Sequence, residues 1–290
     1  MMSIITSYSV GDGDMFTIRH GGQTYTIIDC CYSDKNHFKR TIQNIMNDSM
    51  GRKIQFISTH PDEDHIKGIG FLFSNLRIAD FYVVRNRAVK ENPSVNFENY
   101  KKLRDGRTSA RIFPIVKGKT AASGISFLWP DVDNDDFKRA LHKANNGEEF
   151  NNISPIIMYS LDNGAKVMWM GDIATAFLEE VMHDIEWKKI DVLFAPHHGR
   201  KSGKVPKYVM DRLNPDLVVI GESNSEYLDY YQGYDTVTQN RAGDIRLECL
   251  EGEVLIYCAD KDYDPKFKHI APIWNKYKTG RGWLKGELSV

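Results

Sequence analysis

The stretch "STHPDEDHIKGIG", residues 58–70, sets His60, Asp62, Glu63, Asp64 and His65 within six positions, directly after the apolar run Ile54–Ile57. Such a short apolar run reads as a strand covered on both faces, so the cluster stands at a strand end. Carboxylates this close together raise one another's cost of ionisation. A bound cation would offset that cost. The competing local explanation is that Asp62 caps a helix starting near Asp64, with both histidines satisfied by neighbours.

The same signal recurs along the chain. "QTYTIIDC" ends at Asp29, "KVMWMGD" at Asp172, and "IDVLFAPHHG" runs out through His197 and His198. Four ligand-bearing segments therefore each leave an apolar strand. A sheet gathers strand ends on one rim, where segments distant in sequence converge.

The remaining pattern predicts the frame around them. "SIITSYSV" and "DMFTIRH" read as strands set off by the turn signals "GDGD" and "GG". Phe38, Ile42, Ile45 and Met46 are spaced as on a helix over 36–48. The middle, roughly 74–150, is less regular. It holds a basic helix and loop ("NFENYKKLRDGRTSAR"), the strand "ISFLWP" and the helix "DDFKRALHKA". A hairpin turns at Asp162-Asn163-Gly164. Helices follow at 174–184 and near 206–213, then the strand "DLVVIGE" and a closing hairpin, "DIRLECLEGEVLIYC". Hairpins at both ends exclude a purely parallel doubly wound sheet and predict an α/β (α+β) chain of two mixed sheets with helices outside.

Composition narrows the setting. The chain has 290 residues and a net charge of −1, so nothing global calls for nucleic acid or an anionic membrane. Cys30, Cys31, Cys249 and Cys258 form no C-x-x-C pair, which predicts a reduced, cytoplasmic protein. The segment "MMSIITSYSV" lacks the basic and apolar regions of a signal peptide, and no apolar run is long enough to span a bilayer. No membrane contact is expected, and the sequence names no protein partner.

The order "IIDC … THPDEDH … MGD … PHHG" resembles the metallo-β-lactamase fold of metallohydrolases. Two segments narrow the resemblance. "YSVGDGDMFTIRHGGQTYTIIDC" (8–30) is similar to the entry segment of the soluble hydrolase domain of the ComEC competence proteins, which serve DNA uptake. "FNNISPIIMYSLDNGAKVMWMGDI" (150–173) follows that group's Asn-Asn-x-Ser pattern. The resemblance spans most of residues 3–260. It implies a four-layer αββα sandwich over 1–260, with 261–290 as a basic aromatic tail docked on the same domain.

It also implies a centre of two divalent ions. His60 and Asp62 would bind one, Asp64, His65 and a histidine of 197–198 the other, and Asp172 would bridge them. Asp29 would orient ligands from beneath. His198, directly before Gly199, is the favoured last ligand, with His197 facing the substrate phosphate or leaving group; the opposite assignment stays open. Asp62 stands where most di-metal relatives have histidine, and Asn151, Asn152 and Ser154 stand near where another would lie. The His60/Asp62 site is therefore expected to be the weaker one. His142 is an alternative ligand, or a solvent-facing helix residue. Fewer imidazoles and more carboxylates move the preferred ion from zinc towards manganese, so zinc or manganese is expected. A bound ion lowers the pKa of its water to about 7, and Asp64 could take the proton of the attacking water.

Substrate signals are basic. "RKSGKVPK" places Arg200, Lys201, Ser202, Lys204 and Lys207 after the histidine pair, suited to a phosphodiester or simply a solvated loop. The tail "KFKHIAPIWNKYKTGRGWLK" interleaves Trp274, Tyr277 and Trp283 with cations, suited to stacking bases, although Ile270, Ile273 and Trp274 equally suit docking. Tyr227, Tyr230, Tyr231 and Tyr234 either line a cleft or cover a core edge. The favoured reading is a metal-dependent phosphodiesterase or nuclease acting on DNA. The alternatives are hydrolysis of a small phosphodiester, such as a phosphorylcholine ester or cyclic nucleotide, and a non-catalytic regulatory subunit with a degenerate metal site.

Overall fold

In the computed structural model, residues 2–222, 230–273, 278–279 and 282–290 are described. Strands β1 (Ser3–Ser7), β2 (Phe16–Arg19), β3 (Thr24–Ile28), β4 (Lys53–Ser58), β5 (Ile78–Val83) and β6 (Arg111–Pro114) open the first sheet. Strands β7 (Ile125–Trp129), β8 (Ile156–Ser160), β9 (Lys166–Trp169), β10 (Val192–Phe194), β11 (Leu217–Ile220) and β12 (Asp235–Thr238) form the second. The chain then returns to the first sheet with β13 (Ile245–Cys249), β14 (Glu253–Cys258), β15 (Ala271–Pro272), β16 (Lys278–Thr279) and β17 (Gly282–Ser289).

The first sheet runs β15-β17-β14-β13-β1-β2-β3-β4-β5-β6, with β16 paired to β17, and the second runs β12-β11-β10-β9-β8-β7. Both are mixed. Strands β3 to β6 are parallel and so are β9 to β12, while the hairpins β1-β2, β8-β9 and β13-β14 are antiparallel.

Eight helices are present among the described residues: α1 (Lys35–Asp48), α2 (Glu63–Ile66), α3 (Ile69–Asn75), α4 (Val95–Arg104), α5 (Asp135–Asn145), α6 (Thr175–Val181), α7 (Lys207–Leu213) and α8 (Gln239–Ala242). The layer order follows from which aromatics meet. Between the sheets, Phe16 of β2 packs edge-on against Trp169 of β9 and Phe194 of β10, and Tyr82 of β5 meets Phe127 of β7. On the far side of the first sheet, Phe56 meets Phe73 of α3 and Phe81 meets Tyr100 of α4. On the far side of the second, Trp129 meets Phe137 of α5 and Phe177 of α6. Helices, sheet, sheet and helices stack in the αββα order. Strands β3 and β4 are buried on both faces, as parallel strands beneath helices must be.

Strands β5 and β6 are additions to the sequence reading, and β17 gives the tail a place. Gly282–Ser289 pairs antiparallel with β14, and Ile270 is buried. Trp274, Tyr277 and Tyr227 lie outside the described residues. The four cysteines are free and buried. Among the described residues, no helix is long and apolar enough to cross a membrane.

Candidate metal centre

Parallel neighbours end together, and this brings the signals onto one rim. Ile28 stands opposite Ile57, so Asp29 and the Thr59–His60 segment leave the first sheet side by side. Val167 stands opposite Val192, so β9 and β10 release Asp172 and the histidine pair from the second sheet in the same way. The carboxyl ends of parallel strands are where open α/β sheets place their sites. The chain leaves three strands through left-handed residues: Asp29 (φ 52°), Gly171 (φ 51°), and the pair His197 (φ 52°) and His198 (φ 56°). Such backbone is uncommon outside glycine and clusters at functional sites. Gly171 is required by space as well, because a Cβ there would stand 2.7 Å from Ser154 Oγ.

Four side chains converge. Asp64, His65, Asp172 and His198 each offer a ligand atom, and these atoms all lie within 4.8 Å of one another. His65 Nε2 is 3.2 Å from Asp172 Oδ1, and His198 Nε2 is 3.4 Å from Asp172 Oδ2 and 3.5 Å from Asp64 Oδ2. The opposite nitrogen of each imidazole rests on a second carboxylate: His65 Nδ1 on Asp29 Oδ2 at 2.8 Å, and His198 Nδ1 on Asp14 Oδ1 at 3.1 Å. A carboxylate behind an imidazole fixes the ring and turns its other nitrogen inward. Asp29 is itself held, accepting from Thr59 N–H (2.9 Å) and Thr59 Oγ1 (2.6 Å).

These residues suit a cation. His65 Nε2, His198 Nε2, His60 Nε2 and Asp172 Oδ1 are buried without a hydrogen-bond partner among the described residues. Buried polar atoms are otherwise almost always satisfied. Burial opposes charge on His65, but Asp172 and Asp29 outweigh it and hold its pKa well above the usual histidine range. Burial likewise opposes charge on His198, and Asp14 and Asp172 outweigh it. Burial favours a neutral Asp172, yet the two imidazoles hold its carboxyl well below the usual range. Asp64 is brought to about 2 against its partial burial by His198 and His65. The carboxylates favour positive charge at both imidazoles, a charge that a divalent ion would supply.

His60 and Asp62 are arranged differently. His60 Nδ1 faces only hydroxyls, Thr59 Oγ1 at 3.1 Å and Ser154 Oγ at 3.3 Å, and burial together with nearby His65 lowers its pKa. Asp62 occupies the N-cap position of α2, but its carboxylate caps nothing. It is 31% exposed, with Oδ2 3.5 Å from His60 Nε2 and Oδ1 3.1 Å from Lys90 Nζ. His197 lies at the outer edge, its Nε2 3.7 Å from Asp172 Oδ2 and its Nδ1 3.0 Å from Ser202 Oγ. Burial, His198 and Arg200 lower its pKa against the pull of Asp172.

Ser154 belongs to the centre, accepting the Asp172 N–H at 3.1 Å. Asn152 instead braces the loop beyond it, accepting from Ala174 N–H and donating to Glu149. Thr175 pins the basic loop through the carbonyls of Lys201, Ser202 and Lys204. Arg200 pairs with Asp12 at 3.3 Å, and Lys204 stands 5.3 Å over the Tyr230 ring. Tyr231 is buried, and its hydroxyl accepts the Val205 N–H. His142 bonds Asn146 on the exposed face of α5.

Two residues of the centre went unassigned from sequence, Asp14 and Thr59. The signal for Asp14 was present as an acid in "GDGD", hidden by reading that segment only as a turn. Gly13 allows the approach, since a Cβ there would collide with the Asp64 carbonyl and the Cys31 sulfur.

No family model matches the chain, and no curated protein does. Among solved structures, one similar chain is a Thermotoga maritima protein assigned as a Zn-dependent hydrolase of the metallo-β-lactamase superfamily, at 15% identity over 79% of each chain with a TM-score of 0.35. Another is the metallo-β-lactamase SMB-1 in complex with mercaptoacetic acid, at 12% identity over 67% of this chain and 79% of that one, with a TM-score of 0.39.

Proposed function

We propose that the chain is a metal-dependent phosphodiesterase that cleaves DNA. The observation that carries this reading is the basic loop 200–204 following directly on the His197–His198 turn, beside a buried cluster of inward-facing ligand atoms. Asp64, His65, Asp172 and His198 would hold the ion, a mixed nitrogen and oxygen donor set that suits zinc or manganese. When bound, the ion supplies a water acidic enough to ionise at neutral pH and a Lewis acid for the scissile group.

The chain's own groups do the rest. Asp64, 32% exposed, accepts a hydrogen bond from the attacking water at its carboxylate and so orients it. His197, on the solvent side with Nδ1 fixed by Ser202, hydrogen-bonds a phosphate oxygen through Nε2. Lys201 and Lys204 answer the charge of the flanking backbone phosphates. The similarity of residues 8–30 and 150–173 to the ComEC hydrolase domain favours DNA over a small diester.

The test is cleavage of plasmid DNA and of a chromogenic aryl phosphodiester by chelator-stripped protein reloaded with manganese or zinc. Cleavage of DNA that EDTA abolishes is expected. Cleavage of the small diester alone would move the substrate to the small-molecule class. Bound metal with neither activity would make the chain a non-catalytic subunit.

A further inference from the structure

We propose that Lys90 takes the place of the second metal ion, so that this chain holds one divalent ion and a built-in ammonium. The proposal rests on the metal-centre reading above and concerns its other half. Lys90 Nζ donates to Asp62 Oδ1 at 3.1 Å and to the Pro61 carbonyl at 3.0 Å. The nitrogen also stands over two aromatic rings, 5.1 Å from the centroid of Phe97 and 5.0 Å from that of Phe150. Faces of aromatic rings attract an ammonium, so three kinds of partner hold this cation in one place.

Among the described residues two groups of atoms lie close enough to share an ion, Asp64, His65, Asp172 and His198, and Asp14, Asp29 and His65, and both omit His60 and Asp62. The carboxylate that would anchor a second ion is instead paired to a fixed positive charge, and like charges close together disfavour one another. His60, with only hydroxyls behind Nδ1, lacks the carboxylate that strengthens His65 and His198 as ligands. Its Nε2 faces Asp62 Oδ2 at 3.5 Å. On the Asp62 side of the rim the offsetting positive charge is Lys90.

The experiment is calorimetric titration of chelator-stripped protein with manganese, paired with electron paramagnetic resonance of the loaded protein. Wild type is expected to take up one equivalent and show an isolated manganese signal. Lys90→Met keeps an unbranched apolar side chain of similar length and removes the charge. It is expected to gain a second equivalent, bound at least about 10-fold tighter than any second binding by wild type, with a spin-coupled signal. Asp62→Asn is expected to leave the stoichiometry at one, which tests the proposal even if Lys90→Met fails to fold. Two equivalents in wild type, or a fall from two to one in Asp62→Asn, would overturn the proposal while leaving the metal centre intact. No manganese bound by wild type would overturn the metal-centre reading itself, and this inference with it.

Discussion

One side of the rim holds His65 and His198, the other His60, and the three rings are all buried. On the first side each Nδ1 rests on a carboxylate, at 2.8 and 3.1 Å, and Asp172 faces both Nε2 atoms. On the second side Nδ1 meets two hydroxyls, and the nearest acid, Asp62, is shared with Lys90. Identical side chains are driven in opposite directions: His65 and His198 upward in pKa, His60 downward. The difference comes from Asp172, which faces both rings, together with Asp29 behind His65 and Asp14 behind His198. An imidazole's character as a ligand is set by what stands behind it.

The largest effect should come from Asp172→Asn. Its carboxylate faces both strong imidazoles and lies 3.7 Å from His197 Nε2, so neutralising it removes the charge common to that side. Tight metal binding should be lost and phosphodiester cleavage should fall about 10³-fold or more. Asp62→Asn should cost no more than about 10-fold, its charge being partly answered by Lys90. Metal analysis and initial rates on the two variants decide the matter. Equal losses would erase the distinction between the sides.

A fourth histidine sharpens the contrast at the level of stability. His20 is buried with Nε2 on Thr26 Oγ1 at 2.7 Å and its ring edge-on to Tyr159, 5.4 Å between centroids. Burial, aided by the positive charge of Arg52, lowers its pKa to about 4. The unfolded chain takes up a proton near pH 6.5 while the folded one resists until about 4. Stability is therefore full above the unfolded value and declines as pH falls through that window, by at most about 3 kcal/mol. Urea midpoints of wild type and His20→Gln at pH 7 and 4.5 isolate this contribution. The gap between the two proteins should narrow on acidification, and a constant gap would show that His20 does not titrate in this way.

Next in size is the support behind His198. Asp14→Ala should weaken metal binding about 10–100-fold, whereas Ser154→Ala, which strips the acceptor from the buried Asp172 N–H, should act mainly on stability, by about 1–3 kcal/mol. Calorimetric affinity and denaturant midpoints separate the two. Comparable affinity losses in both variants would mean that a hydroxyl supports the centre as well as a carboxylate does.

The frame was legible where the chain alternates or turns sharply. "QTYTIIDC" is legible as a short run ending in an acid, and the strands around Asp162-Asn163-Gly164 by the turn between them. Strands β5 and β6 stayed hidden for a physical reason: Asp80, paired with Lys53 and Arg111, interrupts the apolar run of "IADFYV", and "RIFP" is short, half-buried and ends in proline. The site was legible as ligands at strand ends, since the polar residue that ends an apolar run is visible in one dimension. Of what lies behind the ligands only Asp29, itself at a strand end, was legible. Asp14 and Lys90 act across 184 and 28 positions of chain, and only the packing of the strands brings them into place.

The smallest expected effect concerns the loop beside the strong side. Arg200 is already answered by Asp12, while Lys201 is exposed with no ion pair among the described residues and Lys204 rests on Tyr230. Charge available to a phosphate therefore lies with the lysines more than with the arginine. Lys201→Gln with Lys204→Gln should weaken DNA binding several-fold at moderate salt and make the slope of log affinity against log salt shallower by about 1–2. Arg200→Gln should change that slope less, and none of the three should alter metal content. The loop's carbonyls are held by Thr175, so the substitutions alter charge without releasing the backbone. An unchanged slope in the double variant would place the path of the nucleic acid elsewhere, and the side built from Asp62 and Lys90 would then be the face to test.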